Sequence, residues 1–244
     1  MFKVIKARSK FIISTILGFY IIACSSQEYT TAKLAIQQSE WSKAEEWLPK
    51  AMAVEPDNPE IPIVYAIEVH ARNGDWQGMY DMFQKALAID ANKKVEIRAV
   101  FLPVSDQVNN YTQYYWAEEF NKGVEKFKEI QEDPDNRKIY LSEAIEYFIS
   151  ASIINPNDPQ TYTTLSKCYL DLDDKDNAMK FIKTAVEKDP EGFNSNFSAG
   201  QILLRCGMGS EVVIPYYEKA VQIEPSNSNA LRELASMYYD LGNK

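Results

Sequence analysis

The residues able to do chemistry are few. The chain of 244 residues holds one histidine, His70, and three cysteines, Cys24, Cys168 and Cys206. One imidazole and three scattered thiols make neither a four-ligand zinc site nor a disulfide framework. There is no second histidine and no reactive serine in a recognisable turn, so no hydrolytic triad is expected. Carboxylates pair at Asp173-Asp174 and Glu118-Glu119. Nothing around them suggests a substrate cleft, and they read as solvated helical surface rather than as the acid and base of a glycosidase. His70 is read as packing. Cys168 and Cys206 fall within first helices of neighbouring units and are read as core, because cysteine is among the most buried residue types. No catalytic residue, metal ligand or cofactor is predicted, and the chain is not expected to be an enzyme.

Composition narrows the partners. The net charge is −9 with a pI near 4.8, so a nucleic-acid backbone, which needs a basic face, is not the expected partner. Only 9 residues are glycine, which argues against glycine-rich phosphate loops and turn-rich β-sandwiches. An aromatic cluster, Tyr111, Tyr114, Tyr115 and Trp116, suits a protein interface. It suits equally the packing of an irregular helix onto its neighbours.

The first 23 residues read as an address. Lys3, Lys6, Arg8 and Lys10 precede an apolar run from Phe11 to Ala23, broken only by Ser14, Thr15 and Gly18. A basic start, a short apolar run and a small residue at the cut describe a secretory signal. The run is shorter than the ~20 residues that span a bilayer. Ile21-Ile22-Ala23-Cys24 resembles the bacterial lipobox, departing from it at Ile21 and Ile22. That resemblance implies cleavage between Ala23 and Cys24 and lipidation of Cys24. Ser25, rather than Asp, follows the cysteine, which by the same resemblance favours the outer membrane, facing the periplasm. Loss of residues 1–23 removes four basic residues and no acid, leaving 221 residues with a charge of −13. Residues 24–28 are then expected to be a short tether.

A repeat runs through the rest. An alanine recurs at 51, 86, 151, 185 and 220, at intervals of 35, 65, 34 and 35. Around it stands one pattern, complete in Ala178, Ile182, Ala185 and Pro190. Upstream lie Tyr162, Leu165, Ser166 and Tyr169, whose spacing puts them on one helix face. Small residues (Ser166, Ala178, Ala185) mark where two antiparallel helices approach, large ones fill the gaps, and Pro190 cannot continue the second helix. In the second unit Ile67 and His70 replace the usual small residue and tyrosine. The interval of 65 carries nine extra residues around 130–139, read as a loop at Asp133–Asn136 that lengthens both helices. A further 22 lie at about 94–115. There Val95–Leu102 is predicted as a short helix ended by Pro103, with Ser105-Asp106 capping a new helix through Val108, Tyr111, Tyr115 and Glu119.

This pattern resembles the tetratricopeptide repeat, a helix–turn–helix unit of 34 residues. The resemblance implies an all-α, right-handed α-solenoid of antiparallel helix pairs, with about five repeats plus a terminal half-repeat. Repeats 1–2 occupy 29–92, an irregular helical connector 93–115, repeats 3–5 116–226 and the half-repeat 227–244. It also implies a concave, partner-binding groove. Carried over position by position, that groove consists of Phe120, Asn121, Thr163, Lys167, Phe197, Gln201, Arg232 and Tyr239. The basic and asparagine residues that clamp a C-terminal carboxylate in chaperone-binding members are mostly missing. The expected function is a lipid-anchored envelope scaffold holding a protein partner, in assembly of an outer-membrane complex. The alternative is an adaptor that regulates a cell-wall hydrolase or protease.

Overall fold

The computed structural model describes residues 25–242. Ala23, Cys24 and the signal-like stretch before them lie outside the described residues. The described chain is a succession of helix pairs: α1 (Gln27–Gln37) with α2 (Trp41–Val54), α3 (Glu60–Tyr65) with α4 (Trp76–Asp90), α5 (Val104–Glu132) with α6 (Arg137–Ile154), α7 (Pro159–Asp171) with α8 (Lys175–Lys188), and α9 (Phe193–Arg205) with α10 (Ser210–Ile223). A last helix, α11 (Ser228–Gly242), packs on α10. This is an all-α helical-repeat fold.

Each pair is held at one close contact. The recurring alanines of the second helices, Ala51, Ala86, Ala151, Ala185 and Ala220, are all completely buried. The first helices carry small residues, Ala32, Gly123, Ser166 and Gly200, and three of these meet a neighbour on the second helix. A β-carbon on Gly123 would sit 2.7 Å from the Phe148 ring, and one on Gly200 would sit 2.5 Å from that of Tyr217. The large side chain of one helix therefore lies directly on the backbone of the other. Ser166, buried, adds a hydrogen bond of 2.7 Å from its Oγ to the carbonyl of Ala178. The second unit lacks a small residue here. Ile67 is buried in its place, and the first helix continues from α3 into a wider π turn, Ala66–His70. A π turn inserts a residue and swells the helix locally, which gives the isoleucine room.

The turn inside the unit is also shared. Ser39, Gly74, Asp173 and Gly207 all have left-handed φ, from +59° to +92°. In each case the following amide bonds back five residues, as Asp174 does to Tyr169 and Met208 to Leu203. That is the Schellman ending of a helix, which satisfies otherwise orphaned carbonyls. Where the next residue is aspartate it also caps the second helix: Asp75 accepts from the amide of Gly78 at 2.9 Å and Asp174 from that of Asn177 at 3.1 Å. The third unit instead turns through Asp133 and the short 3-10 segment Pro134–Asn136.

Three expectations are corrected. Val95–Leu102 is not helical. In its place stands an antiparallel hairpin, β1 (Lys94–Ile97) and β2 (Val100–Pro103), while the rest of the connector expected at 93–115 is helical, as the start of α5, which runs through Val108, Tyr111, Tyr115 and Glu119 as expected. The alternation of exposed Lys94 and Glu96 with buried Val95 and Ile97 has the period of a strand. The hairpin turn, Arg98-Ala99, lacks the Asn-Gly signal of such turns and so hides it. Secondly, α5 starts at Val104 without a side-chain cap from Ser105 or Asp106. Its first amides instead donate to the carbonyls of Lys93 and Ala91. Thirdly, α1 begins at Gln27, not near Tyr29. Ser26 caps it, and the Ser26 amide donates to Glu55 at 2.5 Å. Of the tether expected at 24–28, only Ser25 precedes that cap among the described residues.

Two outcomes follow from this packing. Gly200→Ala should destabilise the protein by about 1–3 kcal/mol through overpacking against Tyr217, read as a lower urea midpoint with unchanged slope. Asp174→Ala should cost about 1 kcal/mol at neutral pH through the lost cap. The side chain and then the amide of Asn177 hold the Asp174 carboxyl below its ordinary range. Its contribution is therefore full above an ordinary aspartate pKa of about 3.9 and is lost as pH falls through the lower folded value. Parent and variant should converge in acid, and a gap that persists there would contradict this account.

Candidate functional site

Two adjoining cavities run along the first helices of the fourth and fifth units. One, of about 440 Å³, lies between Asp158, Thr163, Thr164 and Lys167 on the α7 side and Asn194, Ser195 and Ser198 on α9. The next, of about 410 Å³, is lined by Lys167, Asp171, Gln201 and Arg205, with Ile202 and Leu204 as its apolar part. Tyr217 of α10 and Glu233 of α11 also line it. Lys167 belongs to both, so the two form one trough.

The charges of the trough are unevenly spent. Asp171 accepts from Arg137 Nη2 at 2.6 Å and lies 3.5 Å from Arg205 Nη2. Glu233 meets Arg232 at 3.3 Å. Lys167 makes no ion pair among the described residues. The Tyr217 hydroxyl is buried and has no hydrogen-bond partner among the described residues. Burial, with Glu233 adding, pushes this phenol up to about 12, so it remains a neutral donor. The trough thus presents an ammonium, an amide and an apolar floor. In its wall the Ser195 hydroxyl donates to Asp189 Oδ2 at 3.5 Å, and no group of His, Cys, Asp and Glu among the described residues is placed to hold a metal ion.

The predicted groove residues divide. Thr163, Lys167 and Gln201 line the trough. Phe197 is half-buried, stacked on Phe193 at 5.4 Å and tilted against Tyr217 at 5.8 Å. Phe120 is corrected. It is buried in the core between Trp116 and Phe148, 5.1 and 5.0 Å away, so it faces no groove. Asn121 is exposed on α5, while Arg232 and Tyr239 are exposed on α11 and line neither cavity. In the aromatic cluster, Tyr111, Tyr115 and Trp116 pack against the core. The Trp116 indole donates to Thr161 at 2.9 Å, tying the third unit to the fourth. Tyr114 alone is well exposed.

His70 stacks against Tyr65 at 4.4 Å and its Nδ1 lies 2.7 Å from Asp75. It braces the cap of α4. Glu119 is buried and engaged by Lys122 at 2.5 Å, while Glu118 is exposed. The two carboxylates do not act on one point. Both Cys168 and Cys206 are free thiols.

Residues 159–191, which span α7, α8 and the turn between them, match the family model for the tetratricopeptide repeat. That segment is similar to a tetratricopeptide repeat. The trough is built on that repeat and on the unit after it. No curated protein matches the chain. Among solved structures, the first TPR of Spaghetti bound to an HSP90 peptide is 20% identical over 53% of this chain and 94% of that one, with a TM-score of 0.45. A thermophilic TPR protein of Thermus thermophilus is 17% identical over 87% of this chain and 99% of that one, with a TM-score of 0.41. MamA from Desulfovibrio magneticus is 16% identical over 84% of this chain and 99% of that one, with a TM-score of 0.38.

Sequence reasoning missed the residues that join distant segments. Arg98 of the hairpin turn reaches Glu68 of the π turn at 2.8 Å. Gln107 of α5, buried, donates to the carbonyl of Val100 at 2.7 Å. Neither pair has a local spacing signal.

The two thiols differ in burial. Burial, with Asp171 adding, pushes the Cys168 thiol up to about 12, so almost no thiolate forms near neutral pH. In the native protein at about pH 8, iodoacetamide should modify half-buried Cys206 and leave Cys168 intact, as read by peptide mass spectrometry. Equal rates would show that Cys168 is accessible and reactive.

Proposed function

We propose that the protein is a non-enzymatic scaffold of the bacterial cell envelope, anchored by lipid on Cys24, that holds a protein partner along the trough of its tetratricopeptide repeats. The continuous trough lined by Thr163, Lys167 and Gln201 carries this reading. It is long, open and mixed in character, with donors that have no internal partner, and this suits an extended protein segment better than a compact small molecule. The anchor rests on the basic start, the apolar run and the Cys24 motif of the sequence. Stable anchoring takes more than one acyl chain, as a lipobox cysteine provides. The site of action is then the outer membrane, facing the periplasm.

A photo-crosslinking amino acid at Gln201 should trap a discrete partner in intact cells, and one at Lys183, exposed on α8, the second helix of the preceding unit, should not. Equal trapping at both positions would remove the trough from the account. Globomycin should convert the mature species to a larger precursor. Unchanged processing, or a Cys24→Ala protein that still fractionates with membrane as a mature species, would remove the anchor.

A further inference from the structure

The hairpin creates a second cavity far from the trough. About 230 Å³ lies between α1, α3 and β1. Its apolar lining is Ile36, Val64, Ile67 and Ile97. An ion pair stands in each wall: Lys33 with Glu60 at 3.7 Å, and Arg98 with Glu68 at 2.8 Å. From the hairpin, Glu96 and Ile97 of β1 and Arg98 of the turn line it, and no residue of β2 does.

The edge of β1 here is unpaired. The two-residue turn closes on Ile97 and Val100, and the register continues through Glu96 with Phe101 and Val95 with Leu102. In an antiparallel ladder alternate pairs exchange hydrogen bonds. Ile97 and Val95 therefore bond to β2, while the amide and carbonyl of Glu96 point away from it. They have no other partner among the described residues. Glu96 also lines the cavity, and its carboxylate makes no ion pair among the described residues.

The edge is rigidly held. Arg98 and Ala99 both have left-handed φ, +48° and +64°, a conformation that costs a non-glycine residue energy and that persists only where surroundings enforce it. Ion pairing of Arg98, burial of Val95 and Ile97, and the Gln107 bond enforce it here. A two-stranded hairpin alone is marginal in water, and this one is ordered before any ligand arrives.

From this geometry we infer a second binding site, for an extended strand of a partner protein that adds to the free edge of β1 and reads apolar–basic–apolar at three successive residues. An extended chain is the one backbone that matches the outward amide and carbonyl of Glu96. Its alternate side chains point the same way, so two apolar groups enter the cavity beside Ile97 and the residue between them meets the unpaired Glu96 carboxylate. The site does not depend on the trough or on the anchor.

A library of seven-residue peptides displayed on phage, panned against the full chain in detergent micelles, tests it. Glu96→Pro deletes the outward amide, and the carboxylate with it, without removing a donor of the internal ladder. Enriched peptides should carry the apolar–basic–apolar pattern and slow hydrogen exchange at residues 94–98. They should bind Glu96→Pro at least about tenfold more weakly, since it loses the outward hydrogen bond together with the carboxylate that meets the basic residue. Glu96→Lys, which keeps the amide, should select an acidic middle residue instead. Retained binding by a Gln201→Ala variant would separate this site from the trough. Peptides indifferent to both Glu96 variants, no enrichment of the pattern, or self-association of the chain through its hairpin would each overturn the inference.

Discussion

Everything in the repeat rests on how closely two helix backbones approach at one point. Gly123 under Phe148, Gly200 under Tyr217 and Ser166 bonded to Ala178 are versions of one contact. It sets the separation of each pair, and the Schellman turns at Ser39, Gly74, Asp173 and Gly207 set its angle. Buried apolar area is what gains from this approach, and close packing is what makes the contact intolerant of an added methyl group. The first helices are left side by side, and their exposed residues become the walls of the trough.

The second unit shows what happens when that constraint is relaxed. Ile67 takes the place of a small residue, the first helix widens into a π turn, and Glu68 in that turn is only 8% exposed. A buried carboxylate needs a partner. Arg98 supplies it from the turn of a hairpin that stands where the next repeat would otherwise begin. The irregular helix and the inserted hairpin are therefore one feature. The repeats after α5 follow the shared pattern closely and carry the trough; those before it carry the cavity beside β1.

Much of the candidate site was legible in the residues alone. Thr163, Lys167 and Gln201 were placed on one groove by their positions in the repeat, and the trough is where they meet. Phe120 was misplaced because aromatic neighbours on two sides, Trp116 one turn back on α5 and Phe148 on α6, take it into the core. The hairpin was missed because its turn is Arg98-Ala99. Local rules expect glycine or asparagine where φ is positive, and tertiary contacts overrode that preference here.

By itself the sequence determined the period, the pairing of helices, the small positions and the proline stops, because these depend on contacts between residues near one another in the chain. It also carried the basic start, the apolar run and the string that ends at Cys24, which are read linearly. Tertiary structure alone decided the hairpin, the burial of Glu68 by Arg98 thirty residues away, the bridge of Asp171 to Arg137 and Arg205, and the depth of Phe120. Each of these is a contact between side chains whose separation in sequence has no fixed period. Burial, not propensity, sets the energy of such contacts, and burial exists only once the chain has folded.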